Sequence, residues 1–438
     1  MTELKRSLTP AMVWGLGVGY VISGNYFGWN LGLEKGGTWG LAIALVFIIL
    51  MYVTFTLSYS ELACSIPKSG GAFDYARKAF GDDVGFIAGM AQNIEFIFAP
   101  PAIALGIGAY AGTYFPGVPV VVIAIIAYFI FLILNISGIR IAAVFELVIT
   151  AIAVVAILVF CTLVFPHFDS ANISRDGFPN GWEGVLAATP FAIWFFLGIE
   201  GVANLAEETL QPRRTLLIGF GSAITTLVVL CVLTFFSSIG IGGWRSIVFT
   251  PSGAISDSPL PMAIQQIPND ASFWYNLITS VGLFGLVASF HGLMLAAGRS
   301  TYEFCKSGYG PDFLGRLSAR FKTPANALIV NMFIGIAALL SGKTGEVITI
   351  AVFGALTIYI VSMLSLIRLR KTHPHMDRPF KVPFYPLFPV IALIISTLSL
   401  IAVAVYNLKL AFLYLILLIV ALVVYKVVRK PVGKQTDV

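Results

Sequence analysis

GLGVGYVISGNYFGW, residues 15–29, is an apolar run with a polar centre at Ser23-Gly24-Asn25. Glycine lowers the cost of leaving helical geometry. Backbone that leaves a helix at bilayer depth persists only where it is buried in protein or lines a cavity. The stretch therefore reads as a membrane helix interrupted at Ser23-Gly24-Asn25. A glycine-rich face that lets helices approach closely accounts for the same residues. A second stretch, FAIWFFLGIEGVAN at 191–204, sets Gly198 and Gly201 around Glu200. A carboxylate at mid-span costs about 2.5–3.5 kcal/mol on insertion scales unless it is paired, protonated or wet.

The rest of the chain fits a membrane setting. Of 438 residues, 58% are hydrophobic and 11% charged, and the mean hydropathy is +0.91. Soluble domains carry about a quarter charged residues. A helix needs about 20 apolar residues to cross a bilayer. Twelve such runs are legible, near 11–31, 39–64, 84–112, 118–135, 141–165, 185–205, 214–241, 273–301, 325–341, 346–367, 385–406 and 410–428. They leave no room for a separate soluble domain. Met1–Thr9 is short and polar without a cleavable-signal layout, so the first span is expected to be retained. Cys64, Cys161, Cys231 and Cys305 lie in or beside apolar runs at no metal-ligand spacing and read as small buried hydrophobes.

The net charge of +6 is distributed by topology. With the N-terminus inside, the outer segments hold Lys35, Arg175, Arg245, Lys343 and Lys409, and the other 22 of 27 Lys and Arg are inside. This is the positive-inside bias. It runs from Lys5 and Arg6 through Arg140 to Arg429, Lys430 and Lys434, so an even span count with both termini cytoplasmic is expected. The basic charge then faces the lipid of the inner leaflet and implies no nucleic-acid partner. A count of twelve excludes a seven-helix receptor, and no repeated filter sequence suggests a channel. No HExxH, paired aspartates or Gly-x-Ser-x-Gly suggests an enzyme, and of His167, His291, His373 and His375 only His291 lies in a span.

Interruptions in spans 1 and 6, five apart, are the arrangement of an inverted-repeat transporter. The expectation is an all-α membrane protein of twelve transmembrane helices with a 5+5 repeat. Residues 1–165 carry the first repeat, 166–368 the second, and 369–438 the last two spans and a tail.

Several stretches carry a resemblance, in order along nearly the whole chain. They are Ser23-Gly24 followed by Phe27; Glu61 to Tyr75 around Ile66-Pro67-Lys68-Ser69-Gly70-Gly71-Ala72-Phe73; and Trp194, Phe196, Gly198 and Glu200. Asn204-Leu-Ala-Glu-Glu-Thr and Pro212-Arg-Arg-Thr follow. Then come Arg299, Tyr302, Gly310-Pro311, residues 323–327 and Arg378-Pro379-Phe380-Lys381-Val382-Pro383. Together they resemble the amino acid–polyamine–organocation superfamily, and most closely its ethanolamine permeases. The closer likeness rests on residues 196–204 and on Asp257-Ser-Pro-Leu-Pro. The resemblance implies a LeuT-like secondary transporter in the plasma membrane, monomer or homodimer. No cofactor is implied, only a coupling ion, H+ or Na+. Some proton-coupled relatives carry a span 5 lysine, and here Ala153 stands in that place. Sodium-coupled relatives use span 8 hydroxyls, and Ser289 is one. Proton symport, uniport and exchange stay open.

A broken helix presents carbonyls at the end of one half and N–H groups at the start of the next, suited to an ammonium and to an anion or hydroxyl. Ethanolamine has an ammonium and a hydroxyl but no carboxylate, so its site should add negative or π character. Candidates are Glu95 and Glu200 for the charge, Gln92 beside Glu95, and Tyr26, Trp194 and Phe196 as a cation–π wall. Asn25 in the Ser23-Gly24-Asn25 break suits the hydroxyl, Gly198 supplies the second break, and Ser289 adds a polar contact. Glu200 also fits gating, and His291 fits proton sensing or plain packing. Glu146 receives no role, and Glu207-Glu208 beside Arg213 and Arg214 reads as a surface latch. A neutral amino-acid permease is the rival reading. A non-transporting membrane sensor is the remote alternative; it would be expected to add a signalling domain, and no such stretch is legible among these residues.

Overall fold

The computed structural model describes residues 6–267 and 272–428. Lys5, Arg429, Lys430 and Lys434, the side chain of Arg140 and both chain ends lie outside the described residues. The helices are α1 Pro10–Tyr26, α2 Asn30–Ser65, α3 Ala72–Phe80, α4 Asp82–Gly112, α5 Val120–Ile136, α6 Ile139–Val164, α7 Ser170–Ser174 and α8 Gly181–Trp194. They continue as α9 Pro212–Gly242, α10 Arg245–Val248, α11 Pro259–Ile264, α12 Ser272–Phe304, α13 Ala325–Leu339, α14 Thr344–Thr372, α15 Leu387–Tyr406 and α16 Leu408–Val428. A tightly wound segment, Ile199–Glu208, follows α8. Among the described residues, nine helices are long and apolar enough to cross a membrane, and α5 and α13 are shorter apolar helices.

The centre is α1. Pro10 opens its first turn, and the Thr9 hydroxyl accepts from the Met12 N–H at 3.4 Å, so a cap and a ring with preset φ start the helix. Every residue from Gly15 to Tyr26 is buried, as expected for a helix that is apolar all round. It packs on α6, α9 and α12. Its glycines make this possible, because a Cβ on Gly15 would lie 2.8 Å from Leu147 Cα and one on Gly17 2.8 Å from Val202 Cγ2. The first half of the 15–29 stretch is thus a close-packing face, and the interruption belongs to its end.

Beside α1, α4 runs against α12 and α14, and α2 against α8 and α9. The periphery is α15 and α16, whose Leu398, Ile401, Val405, Phe412, Ile416 and Val420 face outward bare. An apolar belt of this kind is solvated by lipid. On the basic side, buried Glu61 accepts from Arg370 at 2.7 and 2.6 Å and from the Val382 N–H at 2.7 Å. That carboxylate fastens α2 to α14 and to the segment ahead of α15.

Candidate functional site

Helix α1 runs unbroken through Ser23, Gly24 and Asn25, and the interruption falls at Phe27-Gly28-Trp29. Phe27 is extended and Gly28 has φ +83°, a backbone that favours glycine. The helix resumes at Asn30 and bends again at Gly37. The expected break at Ser23–Asn25 is therefore moved by about a turn, and the reason is Ser289. From α12 its hydroxyl donates to Gly19 O at 2.6 Å and accepts from the Ser23 N–H at 2.8 Å. It bridges the ladder where the sequence looked weakest. A side chain inserted this way bends a helix without ending it. The second interruption falls where the sequence puts it. Helix α8 ends at Trp194, and Gly198 at φ +102° turns the chain into Ile199–Glu208.

The two interruptions cross. A Cβ on Gly24 would lie 2.4 Å from Trp194 O and 2.8 Å from Phe195 Cα, so backbone meets backbone with no side chain between. The Trp194 Nε1–H donates to Phe27 O at 3.1 Å, and the Tyr110 hydroxyl to Tyr26 O at 2.7 Å. Two carbonyls at the end of α1, expected to be open to an ammonium, thus already hold side-chain donors. The Phe27 and Trp194 rings meet edge-on, centroids 5.7 Å apart.

Beneath the crossing lies an acid pair. Glu95 on α4 and Glu200 just past the second break are both completely buried, and their carboxyl groups are in direct contact. The Tyr359 hydroxyl from α14 donates to Glu200 Oε2 at 2.9 Å and lies 3.0 Å from the Tyr52 hydroxyl of α2. Tyr52 stacks near Phe196, centroids 5.1 Å apart. Among the described residues no Lys or Arg acts on either carboxyl. Tyr52 and Tyr359 carry no signal in the sequence beyond being hydroxyl-bearing residues inside apolar runs.

Of the remaining candidates, Asn25 is wholly buried, and neither its Nδ2 nor its Oδ1 has a partner among the described residues. Tyr26 turns to the other side of α1, donates to Ala153 O at 2.7 Å and packs on Gly285, so it is a strut between α1, α6 and α12. Gln92 donates to Gly70 O at 3.2 Å and Ser300 Oγ at 2.9 Å, tying the 69–71 loop to α4 and α12. Asn204 donates to Ser69 O at 2.7 Å and secures the same loop. From the first turn of α3, Asp74 accepts from the Gly70 N–H of that loop at 3.1 Å, and burial pushes its carboxyl up to about 6. His291 binds Glu146 at 2.6 Å, away from the acid pair's own partners.

The surface latch is also corrected. Glu208 is buried and holds Arg299 of α12 through two bonds of 2.7 and 2.9 Å, while Arg213 pairs with Asp377 at 2.8 Å. The Asp257-Ser-Pro stretch caps the crossing from the opposite end. Asp257 accepts from Thr344 at 3.1 Å at the start of α14, and Ser256 O accepts from Asn30 at 2.7 Å.

Long apolar helices, a bare apolar exterior and a buried polar centre between two helix interruptions define a multi-pass helical membrane protein of the transporter class. The chain belongs to the amino acid permease family, whose model matches residues 13–432, within the amino acid–polyamine–organocation superfamily. It is 28% identical to an uncharacterized transporter of Rhizobium meliloti (strain 1021), over 92% of this chain and 87% of that protein. It is 26% identical to the methylthioribose transporter of Bacillus subtilis (strain 168), over 89% and 87%. It is 23% identical to the branched-chain amino acid permease BcaP of the same organism, over 90% and 87%.

Proposed function

We propose that this transporter imports a small amine, ethanolamine first, by alternating access about the crossing of the two interruptions. The observation that carries the reading is the acid pair. Two fully buried carboxyls touch, with, among the described residues, one phenol as donor and no basic side chain acting on either. Such a pair has acceptor capacity to spare and is completed by a cation rich in N–H donors. Phe196 and Trp194 supply aromatic surface beside it, and Asn25 offers an amide for the hydroxyl. In the present conformation Trp194 and Tyr110 occupy α1 carbonyls, so binding is coupled to their release.

The setting is a twelve-span protein of the plasma membrane, termini cytoplasmic, with α1 and α8 leading two inverted repeats. Supporting this reading, nine helices among the described residues are long and apolar enough to cross a membrane, and α5 and α13 are shorter apolar helices. Cysteine probes test this: impermeant reagent should label one placed in 168–180 and miss one placed in 312–320, and the reverse pattern would refute the topology.

Neutral amino acids are the second reading, favoured by the name of the branched-chain amino acid permease among the relatives. The deciding experiment is binding of ethanolamine to purified Glu95→Gln and Glu200→Gln. A charge-assisted hydrogen bond contributes about 1.5–3 kcal/mol, so each variant should lose about tenfold or more in affinity. Wild-type binding by both would remove the pair from the site.

A further inference from the structure

We propose that Glu146 and His291 form a proton-binding site, separate from the Glu95–Glu200 pair, whose loading is conveyed to the interrupted helix α1. The site stands on geometry, and its link to uptake rests on the carrier function proposed above. Glu146 Oε2 lies 2.6 Å from His291 Nδ1, and neither side chain has any exposed surface. An ionisable pair at this depth is costly, and where one occurs in a membrane helix it marks proton or ion pathways.

In the form of the pair with one hydrogen fewer, Glu146 is a carboxylate and only accepts, so the hydrogen in the contact sits on Nδ1 and Nε2 keeps its lone pair. Among the described residues neither Nε2 nor Glu146 Oε1 has a hydrogen-bond partner. A proton arriving at Nε2 turns a carboxylate beside a neutral imidazole, net charge negative, into a neutral carboxylate–imidazolium pair. No other bond changes, and the proton leaves by the reverse step.

The surroundings make that change felt by α1. A Cβ on Gly19 would lie 2.0 Å from Glu146 Oε1, so the α1 backbone rests on the carboxyl itself. The Thr150 hydroxyl, one turn on from Glu146, donates to Gly15 O at 3.1 Å. Two residues before His291, Ser289 bridges Gly19 and Ser23. Phe131 and Phe145 wall the imidazole, centroids 6.0 and 5.3 Å away. The charged and titratable groups facing the pair are Tyr20 from α1, Arg299 from α12 and Glu208 from the 199–208 segment. The last two neutralise each other in their own bidentate bridge. Arg299 nevertheless acts on His291, so its charge opposes a proton on the imidazole while the Glu146 carboxylate at 2.6 Å favours one.

The test uses the full chain in lipid nanodiscs. His167, His373 and His375 are exposed, and changing all three to Gln leaves His291 as the sole histidine for ring-nitrogen NMR. The ring is expected to titrate reversibly over the pH range in which the protein stays folded, with the midpoint at least one pH unit lower in Glu146→Gln. A ring locked in one form across that range overturns the proposal, as does a midpoint indifferent to Glu146→Gln. This arm needs no substrate. In the second arm, labelled ethanolamine uptake into proteoliposomes is measured with an imposed pH gradient at clamped potential. The gradient should stimulate wild type several-fold, and Glu146→Gln and His291→Gln should lose that response. An unchanged response in both variants overturns the coupling. No ethanolamine uptake by a wild type whose His291 titrates would refute the proposed substrate and leave the proton site standing.

Discussion

Gly24→Ala is the sharpest test of the crossing. The added methyl carbon would sit 2.4 Å from Trp194 O and 2.8 Å from Phe195 Cα. Both are backbone atoms, so no rotamer relieves the clash. Ordinary contact requires opening the crossing by roughly an ångström, and overpacking of this kind costs about 1–3 kcal/mol. Tenfold in an equilibrium constant is about 1.4 kcal/mol, so a conformation that keeps the two backbones together should lose about 5- to 150-fold in population. Gly221→Ala is the matched control, since a Cβ there meets nothing within 4 Å. It exchanges a poor helix former for the best one and should gain up to about 1 kcal/mol. Melting temperature and ligand affinity of the two purified variants decide the matter. Gly24→Ala should melt lower and bind more weakly, while Gly221→Ala matches or exceeds wild type. Two indistinguishable variants would refute the argument that these backbones touch.

Tyr359→Phe removes the one phenolic donor to Glu200 and should cost about 1.5–3 kcal/mol. Tyr52→Phe should cost less, because its links, 3.0 Å to the Tyr359 hydroxyl and 3.4 Å to Ile193 O, are to neutral groups and not to a carboxyl; calorimetric melting ranks the two. Arg299→Gln leaves the buried Glu208 carboxylate unpaired and should cost about 3–5 kcal/mol, whereas Arg213→Gln breaks only an exposed pair with Asp377 and should leave the melting temperature unchanged. Asp74 gives a pH dependence. Burial moves its carboxyl from 3.8 to about 6, so the folded state holds the proton more tightly than the unfolded chain. That stabilisation is fully present below about pH 3.8 and is lost as the pH rises through about 6; melting curves of Asp74→Asn should lack the decline.

What could be read from the sequence was what local composition determines. Apolar runs gave helix positions, and Gly198 beside a mid-span carboxylate gave the second interruption, because a residue with φ above zero is a local demand. The first interruption was read a turn early because the group that bridges Ser23 to Gly19 comes from Ser289, 266 positions away from Ser23. Glu95 and Glu200 stood out as carboxylates out of place, yet their contact and the Tyr359 hydroxyl are products of helix packing. Glu207-Glu208 was matched to its neighbours Arg213 and Arg214, and the fold instead delivers Arg299 from α12. Glu146 has no role legible in the sequence for the same reason: its partner His291 lies on another helix.

The central claim is a cation-selective centre at the crossing, and competition against labelled ethanolamine in proteoliposomes tests it most directly. Choline keeps the charge and hydroxyl but has no ammonium N–H to offer, and each buried acceptor left unpaired costs about 1–3 kcal/mol. Serine and alanine bring a carboxylate toward Glu95 and Glu200, where like charge opposes it. Ethanolamine should compete best, choline less, and the amino acids least. Serine or alanine competing as well as ethanolamine would contradict the cation-selective centre.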